Sequence, residues 1–281
     1  MTFRELINKY KTICIDKNLE IEAVKFLILE LTGYDAATLL LKYEDSIEQN
    51  ILNQLICNIE KYVIDYLPVQ YILGYTYFCG NKLNVNQNVL IPRSETEELV
   101  FHVEGYYKNL FLNKKVNICD IGTGSGAIAI ALAKNNNFNV TATDISPDAL
   151  EIACNNALMN DVKINFYEGD LLKPLIEKQL KFDILVSNPP YVASSDLVDP
   201  LVLKNEPHLA LFADNDGMSC YENILKDAHK ILNFPNIILF EHGFEQKILM
   251  ENLINKYFPK ATYEILKDIN GNDRFTVIIN K

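Results

Sequence analysis

Val116-Asn117-Ile118-Cys119-Asp120-Ile121-Gly122-Thr123-Gly124-Ser125-Gly126 passes from a short apolar run straight into a cluster of glycines. A run of this length, bounded by a turn signal, reads as a buried strand. Glycine lets the backbone turn sharply and approach a ligand with no Cβ in the way. The apolar residues 127–133 follow at once and read as a helix. Strand, glycine turn and helix in this order open a parallel α/β sheet, whose ligand crevice lies beyond the carboxyl ends of the strands. The G-x-G-x-G spacing differs from the G-x-G-x-x-G of dinucleotide-binding proteins, and the Lys-Ser/Thr pair of phosphate-binding loops is absent.

Downstream the alternation continues. Residues 140–143, 164–167, 182–186 and 237–240 read as strands, and 147–158, 221–231 and 244–257 as helices. The last two strands, 263–266 and 275–279, have no helix between them and pair antiparallel through Asn270-Gly271-Asn272. The fold expected is a mostly parallel sheet with helices on both faces. Upstream the pattern is helical. Leu6, Tyr10 and Ile13 share one face, as do Ala23, Phe26, Leu27, Leu29 and Leu31, with Gly33 as a stop. Asp45 and Ser46 are expected to cap a longer helix bearing Ile51, Leu52, Leu55, Ile56, Ile59 and Val63. Pro68 opens a short helical turn that Gly74 ends. Aromatic and β-branched residues around Cys79-Gly80-Asn81 read as a hairpin. The domains expected are a small helical bundle at 1–74, a hairpin linker at 75–92 and the sheet domain at 93–281.

About half of the 281 residues are apolar, enough for a sizeable core, and the net charge is −11. A protein that neutralises many phosphates carries a basic balance, so this charge argues against a general nucleic-acid binder. The six cysteines form no C-x-x-C pair and read as free, buried thiols. None of the four histidines, His102, His208, His229 and His242, has a partner pattern, so surface or packing roles are expected of them and no metal site is expected. Without a leader-like N-terminus or an apolar run of about 20 residues, the expected location is the cytoplasm, with no membrane partner.

Three further strand ends carry chemistry. Asp144 closes the strand after the glycine loop, where a carboxylate can accept from both hydroxyls of a ribose. Asp170 closes the next and can accept from an adenine amino group. Asn188-Pro189-Pro190-Tyr191 closes the fourth. This quartet suits methylation of a planar nitrogen, whose lone pair is delocalised and therefore a poor nucleophile. The Asn188 side-chain oxygen and the Pro189 carbonyl can each accept one N–H of such a group, localising the lone pair. Pro189 and Pro190 fix φ and stiffen the loop, and Tyr191 offers a flat face. An adenine amine and a carboxamide pose the same problem, so both substrates stay open from these residues.

The residues together resemble the class I S-adenosylmethionine-dependent methyltransferases, and within them the glutamine-N5 methyltransferases of peptide chain release factors. Pro68-Val69-Gln70-Tyr71-Ile72-Leu73-Gly74 resembles the P-x-Q-Y-I-x-G segment of that family. Val89-Leu90-Ile91-Pro92-Arg93-Ser94-Glu95-Thr96-Glu97 resembles its V-L-I-P-R-P-[DE]-T-E segment, with Ser94 in place of proline. Glu206-Pro207 and Asp273-Arg274 fall in the expected order. The resemblance implies a seven-stranded sheet and a helical domain that helps to hold the factor. It places S-adenosylmethionine against Gly122, Thr123, Gly124, Ser125, Gly126, Asp144, Asp170 and Leu171. The glutamine of a Gly-Gly-Gln loop then meets Asn188, Pro189, Pro190 and Tyr191, and Asn188 touches both ligands. Leu171 stands where some members carry an aromatic residue. Sister enzymes that modify a ribosomal protein carry Pro-Arg-Ser at 92–94 but continue differently from Thr96-Glu97. Arg93, Thr96 and Glu206 divide evenly between ligand contacts and structural roles.

Overall fold

The structure, a computed structural model, describes residues 1–281. The chain divides into two compact units. The first comprises Met1–Gly74 and Asp199–Asn205, the second Tyr75–Val198 and Glu206–Lys281.

The first unit is helical: α1 (Phe3–Asp16), α2 (Ile21–Thr32), α3 (Ala36–Leu41), α4 (Gln49–Val63) and α5 (Val69–Leu73). A full capping box starts α1, with Thr2 and Glu5 each accepting from the other's backbone N–H. Leu6, Tyr10, Val24, Leu27, Ile28, Leu55 and Ile59 form its core. The Asp45–Ser46 cap expected for α4 does not form. The N-cap of α4 is Glu48, with no side-chain cap bond. Ser46 instead forms a bridge with Thr2, and the Ile47 N–H donates to the Met1 carbonyl at 3.0 Å. Backbone pairing with the N-terminus has taken the place of the cap. A short later helix, Pro200–Asn205, belongs to this unit: Leu201 packs on its core, Lys204 Nζ donates to the Asp65 carbonyl at 2.7 Å and Asn205 Nδ2 to that of Tyr66 at 2.6 Å.

The second unit begins with a hairpin, β1 (Tyr75–Phe78) and β2 (Asn81–Asn84). It then runs α6 (Ser94–Phe111), β3 (Val116–Ile121), α7 (Ala127–Ala133), β4 (Phe138–Asp144), α8 (Pro147–Met159), β5 (Ile164–Glu168), α9 (Lys173–Glu177) and β6 (Phe182–Ser187). With Pro200–Asn205 counted as α10, it closes with α11 (Ser219–Ala228), β7 (Leu232–Glu241), α12 (Lys247–Tyr257), β8 (Thr262–Lys267) and β9 (Asp273–Asn280). The hairpin is part of this unit rather than a linker. Phe78 and Leu83 enter the sheet core, and the Cys79 N–H donates to the Glu97 carboxylate at 2.6 Å. The fully buried Asn156 of α8 accepts from the Asn84 N–H (2.7 Å) and donates to the carbonyls of Asn84 and Ser125. One amide thus ties the hairpin to the glycine loop.

Seven strands form one sheet in the order β5-β4-β3-β6-β7-β9-β8, parallel except for β9, which is antiparallel to β7 and β8. Period-two alternation feeds two cores. Ile118, Ile184, Val186, Ile237, Leu239 and Val277 face α6 and α7; Cys119, Leu185, Ile238, Phe240 and Ile278 face α11 and α12. Both faces being covered explains why the central strands read as continuous apolar runs. Strand order reverses between β3 and β6, and their carboxyl ends are joined by the Ser187 hydroxyl donating to the Ile121 carbonyl at 2.6 Å. A crevice at such a reversal is where open α/β sheets bind ligands. The cysteines are all free; Cys14 and Cys119 are buried as expected, but Cys57 and Cys154 are exposed.

Candidate active site

A cavity of about 400 Å³ opens at the carboxyl ends of β3, β4, β5 and β6. That is the size class of a small-molecule or cofactor site. Gly122, Thr123, Gly124, Ser125, Asp144, Asp170, Leu171, Asn188 and Pro190 line it together. Residues read at four separate strand ends therefore meet in one space.

The glycine loop is held from below. The N–H groups of Gly122 and Thr123 both donate to the Thr143 carbonyl at 2.9 Å, and the Gly124 N–H donates to Asp144 Oδ2 at 2.8 Å. Gly122 and Gly124 have φ of +73° and +55°, and a Cβ on either meets no protein atom within 4 Å. A side chain there would occupy the cavity itself, so the backbone is bare where a ligand must come close. Gly126 is different. It does not line the cavity, and a Cβ there would press on Ala153 and Ile130 at 3.2 Å. Its role is the close packing of α7 on α8.

Asp144 accepts the Gly124 N–H on one oxygen and the Ser146 N–H on the other, at 2.8 and 2.9 Å. Burial raises its carboxyl pKa against these bonds. A carboxylate has about four acceptor sites, so two remain for hydroxyl groups. Asp170 is half-exposed and ion-paired with Lys173 at 2.6 Å. Leu171 takes φ of +50°, and its carbonyl accepts from the Thr143 hydroxyl at 3.1 Å. With Val89, Leu90, Ile128 and Ile145 it makes the apolar part of the wall.

The Asn188 loop is less uniform than its sequence. Asn188 and Pro190 reach the cavity, whereas Pro189 is buried. The Tyr191 ring does not line the cavity: it packs against the core below the sheet, and burial and then the charge of Glu241 push its pKa up to about 12. The aromatic residue in the cavity wall is Phe212. The loop is clamped from behind. Gln246 Nε2 donates to the Tyr191 and Asp216 carbonyls at 2.8 and 3.0 Å, and its Oε1 accepts the Gly243 N–H at 2.9 Å.

Arg93 and Thr96 also line the cavity. The buried Glu206 carboxylate accepts from the Ile91 N–H at 3.1 Å and from Arg93 at 2.7 Å. Glu206 thus acts on the segment that places Arg93, and does not itself face the cavity. Asp120, wholly buried beneath the loop, takes the Thr123 hydroxyl at 2.6 Å, and burial pushes its pKa up to about 7. Asp120, Phe212 and Gln246 were missed as site residues. Asp120 left a signal, since a carboxylate inside an apolar strand is rarely buried without a task. Phe212 and Gln246 left none. Among the histidines, His242 is fully buried, with Nδ1 paired to the Gly243 carbonyl at 2.8 Å.

Comparison with known proteins bears on what this geometry serves. Residues 106–210 match the model of the family described as "Methyltransferase small domain". A release factor glutamine methyltransferase from Bacillus subtilis (strain 168) is 40% identical over 91% of this chain and 90% of its own. One from Staphylococcus aureus is 35% identical over 98% of both chains. One from Flavobacterium psychrophilum is 44% identical over 74% of this chain and 73% of its own. Among solved structures, a methyltransferase from Pyrococcus furiosus superposes with a TM-score of 0.50 at 18% identity, covering 83% of this chain and 98% of that one. The 16S rRNA N2 G1207 methyltransferase of T. thermophilus, solved with AdoMet and guanosine, gives 0.51 at 14% identity, covering 74% and 50%. These two share the fold. No helix is long and apolar enough to cross a membrane. The sequence relatives, matched along nearly the whole chain, show that this protein belongs to the release factor glutamine methyltransferase family.

Proposed function

We propose that the chain transfers the methyl group of S-adenosylmethionine to the side-chain nitrogen, N5, of the glutamine in the Gly-Gly-Gln motif of a peptide chain release factor. The observation that carries the reading is the meeting of Asn188 with the glycine loop and Asp144 in one cavity, in a chain of this family. The residues present fit the cofactor. Bare backbone at Gly122 and Gly124, spare acceptor sites on Asp144 and an apolar wall at Ile145 and Leu171 suit an adenosyl group with a charged tail.

When bound, S-adenosylmethionine supplies an electrophilic methyl on a sulfonium, and its departing thioether is neutral. The protein therefore needs no strong acid at the leaving side. Its task is to orient a weak nucleophile. The Asn188 oxygen accepts one N–H of the glutamine amide and the Pro189 carbonyl the other, which draws the lone pair onto nitrogen and answers its growing positive charge; as the N–C bond forms and the S–C bond breaks, the nitrogen gives up one of its two protons to water. Pro189 and Pro190 restrict the backbone, so the acceptors are set before substrate arrives. The helical unit serves to hold the release factor.

Asp144→Ala is expected to raise the cofactor dissociation constant about 10- to 100-fold, the usual worth of hydrogen bonds to a charged group. Isothermal titration with S-adenosylmethionine measures this, and unchanged affinity would remove Asp144 from the binding site. The substrate is tested by incubating the protein and radiolabelled cofactor with release factor, with its Gly-Gly-Ala variant, with ribosomal protein and with nucleic acid. Label is expected in the Gly-Gly-Gln factor alone. Label in the Gly-Gly-Ala variant, or only in ribosomal protein or nucleic acid, overturns the assignment.

A further inference from the structure

Glu241 ends β7 with its side chain almost wholly inside the protein, only 2% of the residue being exposed. Burying a carboxylate is expensive unless its charge is answered. Two cavity residues, Thr96 and Asn188, act on it and favour its charge, while Oε2 has no partner. Asn188 Nδ2 in turn donates to Thr96 Oγ1 at 3.2 Å.

Chemistry bears on which way the Thr96 hydroxyl points. An ionised carboxylate only accepts. A Thr96 hydroxyl turned toward that carboxylate gives it the proton and keeps an oxygen lone pair to accept from Asn188. The Thr96 contact then holds the NH2 of the Asn188 amide, and Oδ1 is the polar atom left for the cavity. An amide can be placed either way round, and the network around it decides which. We propose that Glu241 is a positioning residue which, through Thr96, holds the Asn188 amide so that its oxygen is the atom presented to the substrate nitrogen. The proposal rests on the glutamine reading above.

Protonated Glu241 could donate instead of accept, and the amide would lose its bias. Burial, foremost, pushes the Glu241 pKa up to about 7, so this change falls in the working range. The other groups acting on it are Arg274 of β9, which favours the charge, and Glu95 of α6, which opposes it. Tyr191 and Tyr221 face it with pKa values raised far above this range.

The test measures methyl transfer to release factor from roughly pH 5.5 to 9, together with cofactor affinity, since a pH limb reports a group in the working enzyme. Wild-type kcat is expected to rise with pH through about 7 and then level. Glu241→Gln can donate as well as accept. It is expected to lower kcat about 10- to 100-fold, the effect of a misaligned reacting group, and to lose that limb. Its cofactor affinity is expected to stay within about threefold, because Glu241 does not line the cavity. Thr96→Ser should keep most of the activity, and Thr96→Val should fall like Glu241→Gln. If Glu241→Gln does not fold, the wild-type pH limb and the two Thr96 variants decide the matter. Wild-type kcat and an intact limb in Glu241→Gln, a flat wild-type profile, or Thr96→Val equal to Thr96→Ser would each overturn the proposal. A wild-type enzyme that leaves release factor unlabelled defeats the glutamine reading itself, a distinct outcome.

Discussion

Asn188→Ala lowers kcat for methyl transfer about 10²- to 10³-fold, the usual effect of deleting one preset polar contact to developing charge. The reason lies in what the side chain meets during the reaction. In the ground state the glutamine amide is neutral, and its loss of one hydrogen bond is modest. As the methyl arrives, positive charge builds on nitrogen and the N–H bonds become stronger donors. An acceptor fixed in place by Thr96 gains at that moment without having to reorganise. Cofactor affinity is expected to change less than about threefold, because Asp144 and the loop at 122–125 supply the other contacts. Single-turnover rates with saturating release factor, beside direct binding of cofactor, separate the two quantities. Turnover at the wild-type rate in the variant would remove Asn188 from the chemistry.

Gly217→Ala has an equally large effect from outside the cavity. Gly217 has φ of +79°, and a Cβ on it would lie 2.0 Å from the Tyr191 carbonyl oxygen and 2.5 Å from Gln246 Nε2. Neither neighbour has room to give: the carbonyl is backbone, and the amide is bonded to it. The left-handed conformation alone costs about 1–2 kcal/mol in a residue with a side chain. With the overlap, the loss should exceed about 3 kcal/mol, or roughly 6–12 °C in Tm for a unit of this size. Relief of the overlap pushes Tyr191 and the acceptors just before it out of line, which reduces kcat by a further factor of about 10². Gly80→Ala is the control. Its φ of +72° is as strained, but a Cβ there meets open space, so a loss of only about 1 kcal/mol is expected with activity retained. Calorimetry and transfer assays on both variants check this, and equal Tm values for the two would refute the steric account.

Why some of this was legible in the sequence follows from where the constraints act. Residues 127–133 were read as a helix and are one, because the preceding glycines and the buried face leave no alternative. Gly122, Asp144 and Asn188 were legible because each lies at or just past the end of a strand that an apolar run marks. The strand read at 237–240 begins earlier, at Leu232; Asn233, Pro235 and Asn236 obscure its first half. The helix read from 244 starts at Lys247, since Gln246 is drawn into the clamp on Tyr191. The helix read at 221–231 runs Ser219–Ala228. Short helices at Ala36–Leu41, Lys173–Glu177 and Pro200–Asn205 bury too few residues to show a period. Gln246, Gly217 and Glu206 act on residues that the fold brings to them from far along the chain, and no local pattern encodes such meetings.

The helix Pro200–Asn205 has a consequence for biosynthesis. The helical unit is begun at Met1 but receives its last piece about 125 residues after Gly74, from within the stretch that otherwise forms the second unit. At ribosomal rates of about 5–20 residues per second, the early helices wait many seconds with the seat of Leu201 uncovered. The carbonyls of Asp65 and Tyr66 wait as long for Lys204 and Asn205. An enzyme of this family, whose relatives are named for a factor that ends translation, thus finishes its own first unit only when most of the nascent chain has been made.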